Sequence, residues 1–345
     1  MRSVLLGLPF DNLSMEEVIA EVDSLVNRRS SQQWCTANLD FAMRATQDWE
    51  FRETLRQSER VWCDSQPIKL LARFLGRPLK ERVTGADLTR EILNRAGQKG
   101  WKVYLLGTTE SVLQECRRKA GPAVVGYYSP PHQPLEVWNH ERVTSQIRAS
   151  GADILLVALG SPKQDIWLRA FRSSLQMPLM MGVGASLEYY AGAFGRAPRL
   201  WQLLGAEWIY RLCQEPTRLL RRYWNDARFL LANCWFQWAS HRRYGESLWS
   251  DYERGWNQEQ EPMGCCYRAR FCVFPAAEPW QVVVTENRTA IRGELTAKRL
   301  TEVDKAPFPL DLSRLQRADL AGRLWIRRQQ DLGRVARLPD WWNHA

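Results

Sequence analysis

The 345-residue chain is 45% hydrophobic, enough to bury one large core or two ordinary ones. Its formal net charge is +10, and the excess is uneven, because seven arginines between Arg211 and Arg243 stand against only Glu215 and Asp226. Such asymmetry predicts an anionic partner, either nucleic acid or an anionic membrane face. Seventeen tryptophans favour the membrane, since indole settles at the headgroup level, although packing in a core is the ordinary fate of any single one. No window approaches the roughly 18 to 20 apolar residues of a spanning helix. The first eleven residues lack the apolar length and cleavage site of a signal peptide, and the eight cysteines contain no C-x-x-C pair and no zinc spacing. A reduced, cytosolic chain working at the inner membrane face is expected.

In chain order, residues 12 to 29 open with Ser14 and Glu17, a capping-box start for an amphipathic helix. Gln33-Trp-Cys, leading into Thr36-Ala-Asn38, and Val61-Trp-Cys-Asp64 read as strand ends. A carboxylate at the carboxyl end of a strand overlooks the ligand crevice of an α/β fold, while aspartate is also a common cap for a helix or turn. Val103–Gly107 is a short apolar run followed by a helical pattern from Glu110 to Lys119. Ile154–Gly160 and Leu179–Gly184 repeat the scheme, so strands buried on both faces of a parallel sheet are predicted.

From Gly182 the chain runs through a glycine-rich loop to Arg196-Ala-Pro, Glu207-Trp208 and an arginine-studded tail. Glycines let backbone N–H groups approach phosphate oxygens, and several arginines on one helical element suit two adjacent phosphates. The spacing of Arg211, Arg218 and Arg222 places them on one helical face with Arg221 nearby, so a diphosphate ligand is expected. The expected layout is a Rossmann-like parallel α/β domain over 1–205, a helical basic appendage over 206–245, a polar linker over 246–264 and a small α/β domain over 265–345.

Five ordered elements carry a family resemblance: Thr36-x-Asn38 with Asp64, Arg82-Val-Thr-Gly-Ala-Asp-Leu88, Gly160-Ser-Pro-Lys-Gln-Asp-Ile-Trp167, Gly182-Val-Gly184, and Arg196-Ala-Pro with Glu207-Trp208. Together, over about residues 3 to 225, they resemble the WecG/TagA/CpsF glycosyltransferases. The resemblance implies an inverting, metal-independent transfer from a UDP donor of N-acetylmannosamine, its uronic acid, glucuronic acid or glucose type onto a lipid-diphosphate-linked saccharide during bacterial surface polysaccharide assembly. It implies Asp64 as general base for the acceptor hydroxyl, with Thr36 and Asn38 beside it, and Arg82 in the pocket. Gln164 would serve sugar hydroxyls or a uracil edge, and Gly182, Gly184, Arg196, Glu207, Arg211, Arg218, Arg221 and Arg222 would bind the substrates. No cofactor or metal is implied, no Asp-x-Asp stands at a strand end, and nucleic acid drops out as a partner in favour of the anionic inner membrane surface. Three positions depart from the pattern: Ser65 follows Asp64 where the family has Gly, Asp165 replaces Glu, and Glu188 stands where Asp is common.

A non-catalytic protein that holds nucleic acid with its basic tail remains the competing reading. A nicotinamide-dependent oxidoreductase is disfavoured, since no Gly-x-Gly-x-x-Gly opens a helix. Homo-oligomerisation is left open. Beyond residue 264, Val282-Val-Val-Thr-Glu, Ala290–Thr296, Pro309–Leu315 and Ala318-Asp-Leu-Ala-Gly322 resemble a small STAS domain. Leu320 occupies the place of that family's phosphorylatable serine, so a docking or stabilising module is expected rather than a switch.

Overall fold

The computed structural model describes residues 2–195, 198, 201, 207–257, 281–285, 288–296, 299–304 and 309–344. The chain divides into two compact units, Met1–His132 with Asn139–Cys272, and Gln133–Trp138 with Val273–Ala345. In the first, β1 (Arg2–Leu5) and β2 (Leu8–Asp11) form an antiparallel hairpin whose two turn residues, Leu6 and Gly7, both have positive φ, as a tight two-residue turn requires. Then follow α1 (Met15–Arg28), β3 (Gln32–Ala37), α2 (Leu39–Ala45), α3 (Trp49–Gln57), β4 (Arg60–Cys63), α4 (Gln66–Phe74) and α5 (Gly85–Lys99). The capping box is present at α1, where the Ser14 hydroxyl accepts from the Glu17 N–H and the Glu17 carboxylate accepts from the Ser14 N–H.

The middle of the unit alternates strand and helix: β5 (Val103–Gly107), α6 (Glu110–Ala120), β6 (Val124–Tyr128), α7 (His140–Ala149), β7 (Ile154–Ala158), α8 (Lys163–Leu175), β8 (Leu179–Gly182) and α9 (Ser186–Ala191). The six strands pair in the order β4-β3-β8-β7-β5-β6, all parallel. β5, β7 and β8 are buried at every position, as their uninterrupted apolar runs predict for a sheet covered on both faces. On one face, Trp34, Trp62, Val103, Leu105, Ile154, Leu156 and Met181 pack under α1, α5, α6 and α9. Trp34, Trp62, Trp101 and Trp167 are among the most completely buried side chains, so around the central sheet tryptophan is core material.

The unit ends in α10 (Glu207–Gln214) and α11 (Pro216–Asn257). A single helix carrying Arg211, Arg218 and Arg222 on one face is not what forms. Pro216 lacks an N–H and disfavours helical geometry at Glu215, so the chain breaks there and Arg211 lies on a different helix from Arg218 and Arg222. Nor does a linker begin at residue 246, because α11 continues to Asn257.

The second unit contains β9 (Gln281–Thr285), β10 (Arg288–Leu295), the short α12 (Leu300–Val303), β11 (Leu310–Ala318), α13 (Leu320–Asp331) and β12 (Val335–Arg337). Its sheet order is β12-β11-β10-β9, with β9 and β10 an antiparallel hairpin and the other pairs parallel. Trp325 and Ile326 of α13 close the core over Ile291, Leu295, Leu310 and Leu312.

Candidate active site

Asp64 follows the last residue of β4, and its N–H is fixed by the Ala37 carbonyl at the end of neighbouring β3. It does not cap the helix that follows. Ser65 does so, its hydroxyl accepting from the Ile68 N–H, and Pro67 sits in the first turn where its missing N–H costs nothing. Ser65, standing where the resemblance leads one to expect glycine after Asp64, thus supplies the local cap and releases Asp64 to point elsewhere. Its carboxylate accepts from the Gly85 N–H at 3.1 Å, at the electropositive N-terminus of α5. Thr84 caps α5, its hydroxyl accepting from the Asp87 N–H.

Thr36 lies one residue before the end of β3, beside the same helix start. A Cβ on Gly85 would stand 2.8 Å from the Thr36 hydroxyl and 3.5 Å from that of Ser186, so a side chain there would displace the threonine. The Arg-Val-Thr-Gly-Ala-Asp-Leu element therefore needs glycine for close approach rather than for φ. Asp64, Thr36, Gly85 and Ser186 form one cluster at the carboxyl ends of β3 and β4 and the start of α9. Asn38 stands beside it, but its side-chain oxygen caps α2 by accepting from the Phe41 N–H at 3.3 Å.

The loop after β8 is held from below. Gln164 is buried, and its side-chain oxygen accepts from the Gly184 N–H at 3.0 Å. Gly182 presses on the same helix start, where a Cβ would lie 2.7 Å from both the Asp165 carboxylate and the Gln164 amide nitrogen. The Gly184 N–H that the sequence offers to phosphate is thus spent inward, and the Ser186 N–H bonds the Val183 carbonyl. These glycines permit tight docking of α8 and a left-handed residue at Gly184 (φ 51°). Asp165 is fully buried, and desolvation pushes its pKa up to about 7 against hydrogen bonds from Cys35 and Gln164.

Further along the strand ends, the Thr108 hydroxyl after β5 donates to Glu188 of α9 at 2.5 Å, and the Thr108 carbonyl accepts from Ser129 after β6 at 2.7 Å. Arg82 and Glu207, taken from distant segments, come together with 3.8 Å between charged atoms, both largely shielded from water. Arg82 and Asp64 also both act electrostatically on the buried Cys63 thiol, whose pKa burial raises to about 12. Arg196 lies outside the described residues, as do the side chains of Arg211 and Arg218.

Arg222 of α11 turns inward to Asp40, two residues past Asn38, at 3.4 Å, while Arg44 pairs with the same carboxylate at 2.9 Å. Arg221 is exposed. Asp226, one turn after Arg222, joins the group, and α11 is further secured where Gln237 accepts from the Leu6 N–H of the β1–β2 turn. Burial and the nearby Asp40 raise the Asp226 pKa to about 6, against Arg222 and Arg44. A carboxylate raised in the folded state is stabilising only while protonated, so the docking of α11 should weaken as pH rises through about 6. Asp226→Asn should firm that docking at pH 7.5 by on the order of 1 kcal/mol, with the gain fading by about pH 4.5. Limited proteolysis within α11 at both pH values measures it, and an equal effect at the two would refute the assignment.

Asp40, Asp226, Ser186 and the Thr108–Glu188 bond were not legible as site features. Asp40 follows the Thr-x-Asn element by two residues, and Asp226 stands four after Arg222, which is the only sequence signal either gave. The sheet, with a carboxylate, a hydroxyl and paired charges gathered at its carboxyl end, is the arrangement of an α/β enzyme. The chain belongs to the WecG/TagA/CpsF glycosyl transferase family, whose model matches residues 3–244. It is accordingly a glycosyltransferase of cell-envelope polysaccharide synthesis.

Proposed function

We propose that the protein moves a hexose-type sugar from a UDP donor to a lipid-diphosphate-linked saccharide, with inversion, without a metal, and with Asp64 as general base. The observation that carries this is the placement of the Asp64 carboxylate beside Thr36 at the strand ends, freed by Ser65 from capping its own helix and aimed by the Gly85 N–H. The acceptor hydroxyl gives its proton to Asp64 as its oxygen attacks the anomeric carbon, and the bond to the UDP oxygen breaks with its electron pair leaving on the diphosphate. Arg82 and the arginines of α10 and α11 would stabilise that charge. Carboxylates of the crevice have other uses: Glu188 accepts from Thr108 and Glu207 faces Arg82, which fits a site that neutralises diphosphate with cations of the chain itself.

The inner membrane surface fits α11. Among its described side chains, Leu220, Trp224, Leu231 and Trp235 are 62–77% exposed. At about 100° per residue they fall within an arc of about 60°, an apolar stripe bordered along one edge by exposed Arg221 and Arg228. No helix among the described residues is long and apolar enough to cross a membrane. For the second unit the STAS-like reading rests on a sheet of one antiparallel and two parallel pairs with α13 against it. Leu320, at the first position of α13, is fully buried and has no hydroxyl, which supports a docking or stabilising role.

Release of UDP from a panel of UDP-sugars in the presence of lipid-diphosphate-N-acetylglucosamine tests the reading. Tight, salt-sensitive anion binding with no release from any donor would replace it with the non-catalytic alternative. Within the site, Gly85→Ala should lower turnover about ten- to a hundredfold by pushing aside the Thr36 hydroxyl. Turnover equal to that of the unsubstituted protein would show that Thr36 has no part in the reaction.

A further inference from the structure

Asp165 has no part in the chemistry just described, yet it is an ionisable group with no access to water directly beneath the crevice. The groups facing it are Gln33 and Cys35 of β3, Gly182 of β8, Ser161 just before α8, and Gln164 on its own helix. The Cys35 thiol lies 3.6 Å from one carboxylate oxygen and 3.2 Å from the Ser58 hydroxyl, and the Gln33 side chain donates to the Asp165 carbonyl at 2.9 Å. Burial first, then the Asp165 charge, raises the Cys35 pKa well above its usual range, so Cys35 remains a neutral donor. Among the described residues, no group lies in hydrogen-bonding geometry with the second Asp165 oxygen.

The Gln164 amide has two unlike ends, an oxygen that only accepts and a nitrogen that only donates. Its oxygen is on the Gly184 N–H, and its nitrogen and one Asp165 carboxylate oxygen both stand 2.7 Å from the place a Cβ on Gly182 would take, so the two side chains face each other there. We propose that Asp165 is a positioning residue: as an anion it can only accept, so it holds the Gln164 nitrogen inward and the Gln164 oxygen against Gly184, fixing the loop after β8. This inference rests on the reading of that crevice as the transfer site. Protonation turns one Asp165 oxygen into a donor that competes for the Gln164 oxygen and releases Gly184. The loop is therefore firm above about pH 7 and loosens below it, in keeping with the raised Asp165 pKa.

The test is hydrogen–deuterium exchange of the segment 182–187 in the full chain between pH 5.5 and 8, corrected for the chemical pH dependence of exchange. In the unsubstituted protein, protection of the Gly184 N–H should fall several-fold as pH drops through about 7. Asp165→Asn keeps an acceptor that cannot be protonated, so its protection should be independent of pH. Asp165→Ala should leave the segment unprotected throughout and lower kcat/KM about ten- to a hundredfold. A purely structural role predicts uniform loosening with an unchanged pH profile, so Asp165→Asn exchanging with the pH dependence of the unsubstituted protein would overturn the proposal. Should Asp165→Ala fail to fold, the Asp165→Asn comparison still decides. If the unsubstituted protein shows this exchange pattern but transfers no sugar from any donor, the transferase reading falls and the Gln164–Gly184 control stands.

Discussion

Asp64→Asn is expected to leave the fold intact and to reduce transfer about a hundred- to ten-thousandfold, the usual loss when a general base is removed. The substitution isolates the proton-accepting role, because the asparagine oxygen still accepts from the Gly85 N–H and the start of α5 stays in place. Asp64→Ala is a poorer probe. It leaves that N–H without its partner, at about 1–3 kcal/mol, and so mixes structural loss with chemical loss. UDP affinity by calorimetry and UDP release by a coupled assay should separate in the Asn variant, with affinity nearly unchanged and release almost gone. Release at the unsubstituted rate would remove Asp64 from the mechanism, and the base would have to be sought elsewhere at the strand ends.

What the sequence showed and what it hid follow from the range of the forces involved. The strands of the central sheet were legible because burial on both faces demands uninterrupted apolar runs, and the α1 capping box was legible because its hydrogen bonds span three residues. Asp64 at a strand end was legible for the same local reason. The release of Asp64 by Ser65 was not, since it depends on α5 arriving from twenty-one residues away to supply the Gly85 N–H. Gly182 and Gly184 could be read as a phosphate loop because glycine permits many uses, and only the packing of α8 shows two of them turned inward. The basic tail is legible only in part for the same reason. Charge counting gives the partner's sign, while the turn of Arg222 toward Asp40 and the break at Pro216 are set by contacts and by backbone chemistry that an arginine count does not contain.

Gly107→Ala is expected to destabilise the first unit by about 3 kcal/mol or more, whereas Gly184→Ala should cost only about 1 kcal/mol, although both glycines have positive φ. At Gly184, φ is 51°, close to the left-handed region that other residues visit at modest strain, and an added Cβ meets nothing within 4 Å. Gly107 differs on both counts. Its φ of 108° lies well beyond that region, and a Cβ would stand 2.4 Å from the Ala158 carbonyl oxygen, which belongs to the rigid backbone of the adjacent strand. That oxygen also accepts from the Thr108 N–H, so the strand cannot retreat without losing a buried hydrogen bond. The displacement would then travel to the Thr108 hydroxyl and its bond to Glu188, joining a loss of stability to a loss of order at the strand ends. Chemical denaturation of the two variants measures the difference. Equal midpoints would mean that the loop after β5 yields more easily than its contact with β7 allows, and the rigid frame assigned to the Thr108–Glu188 side of the crevice would have to be given up.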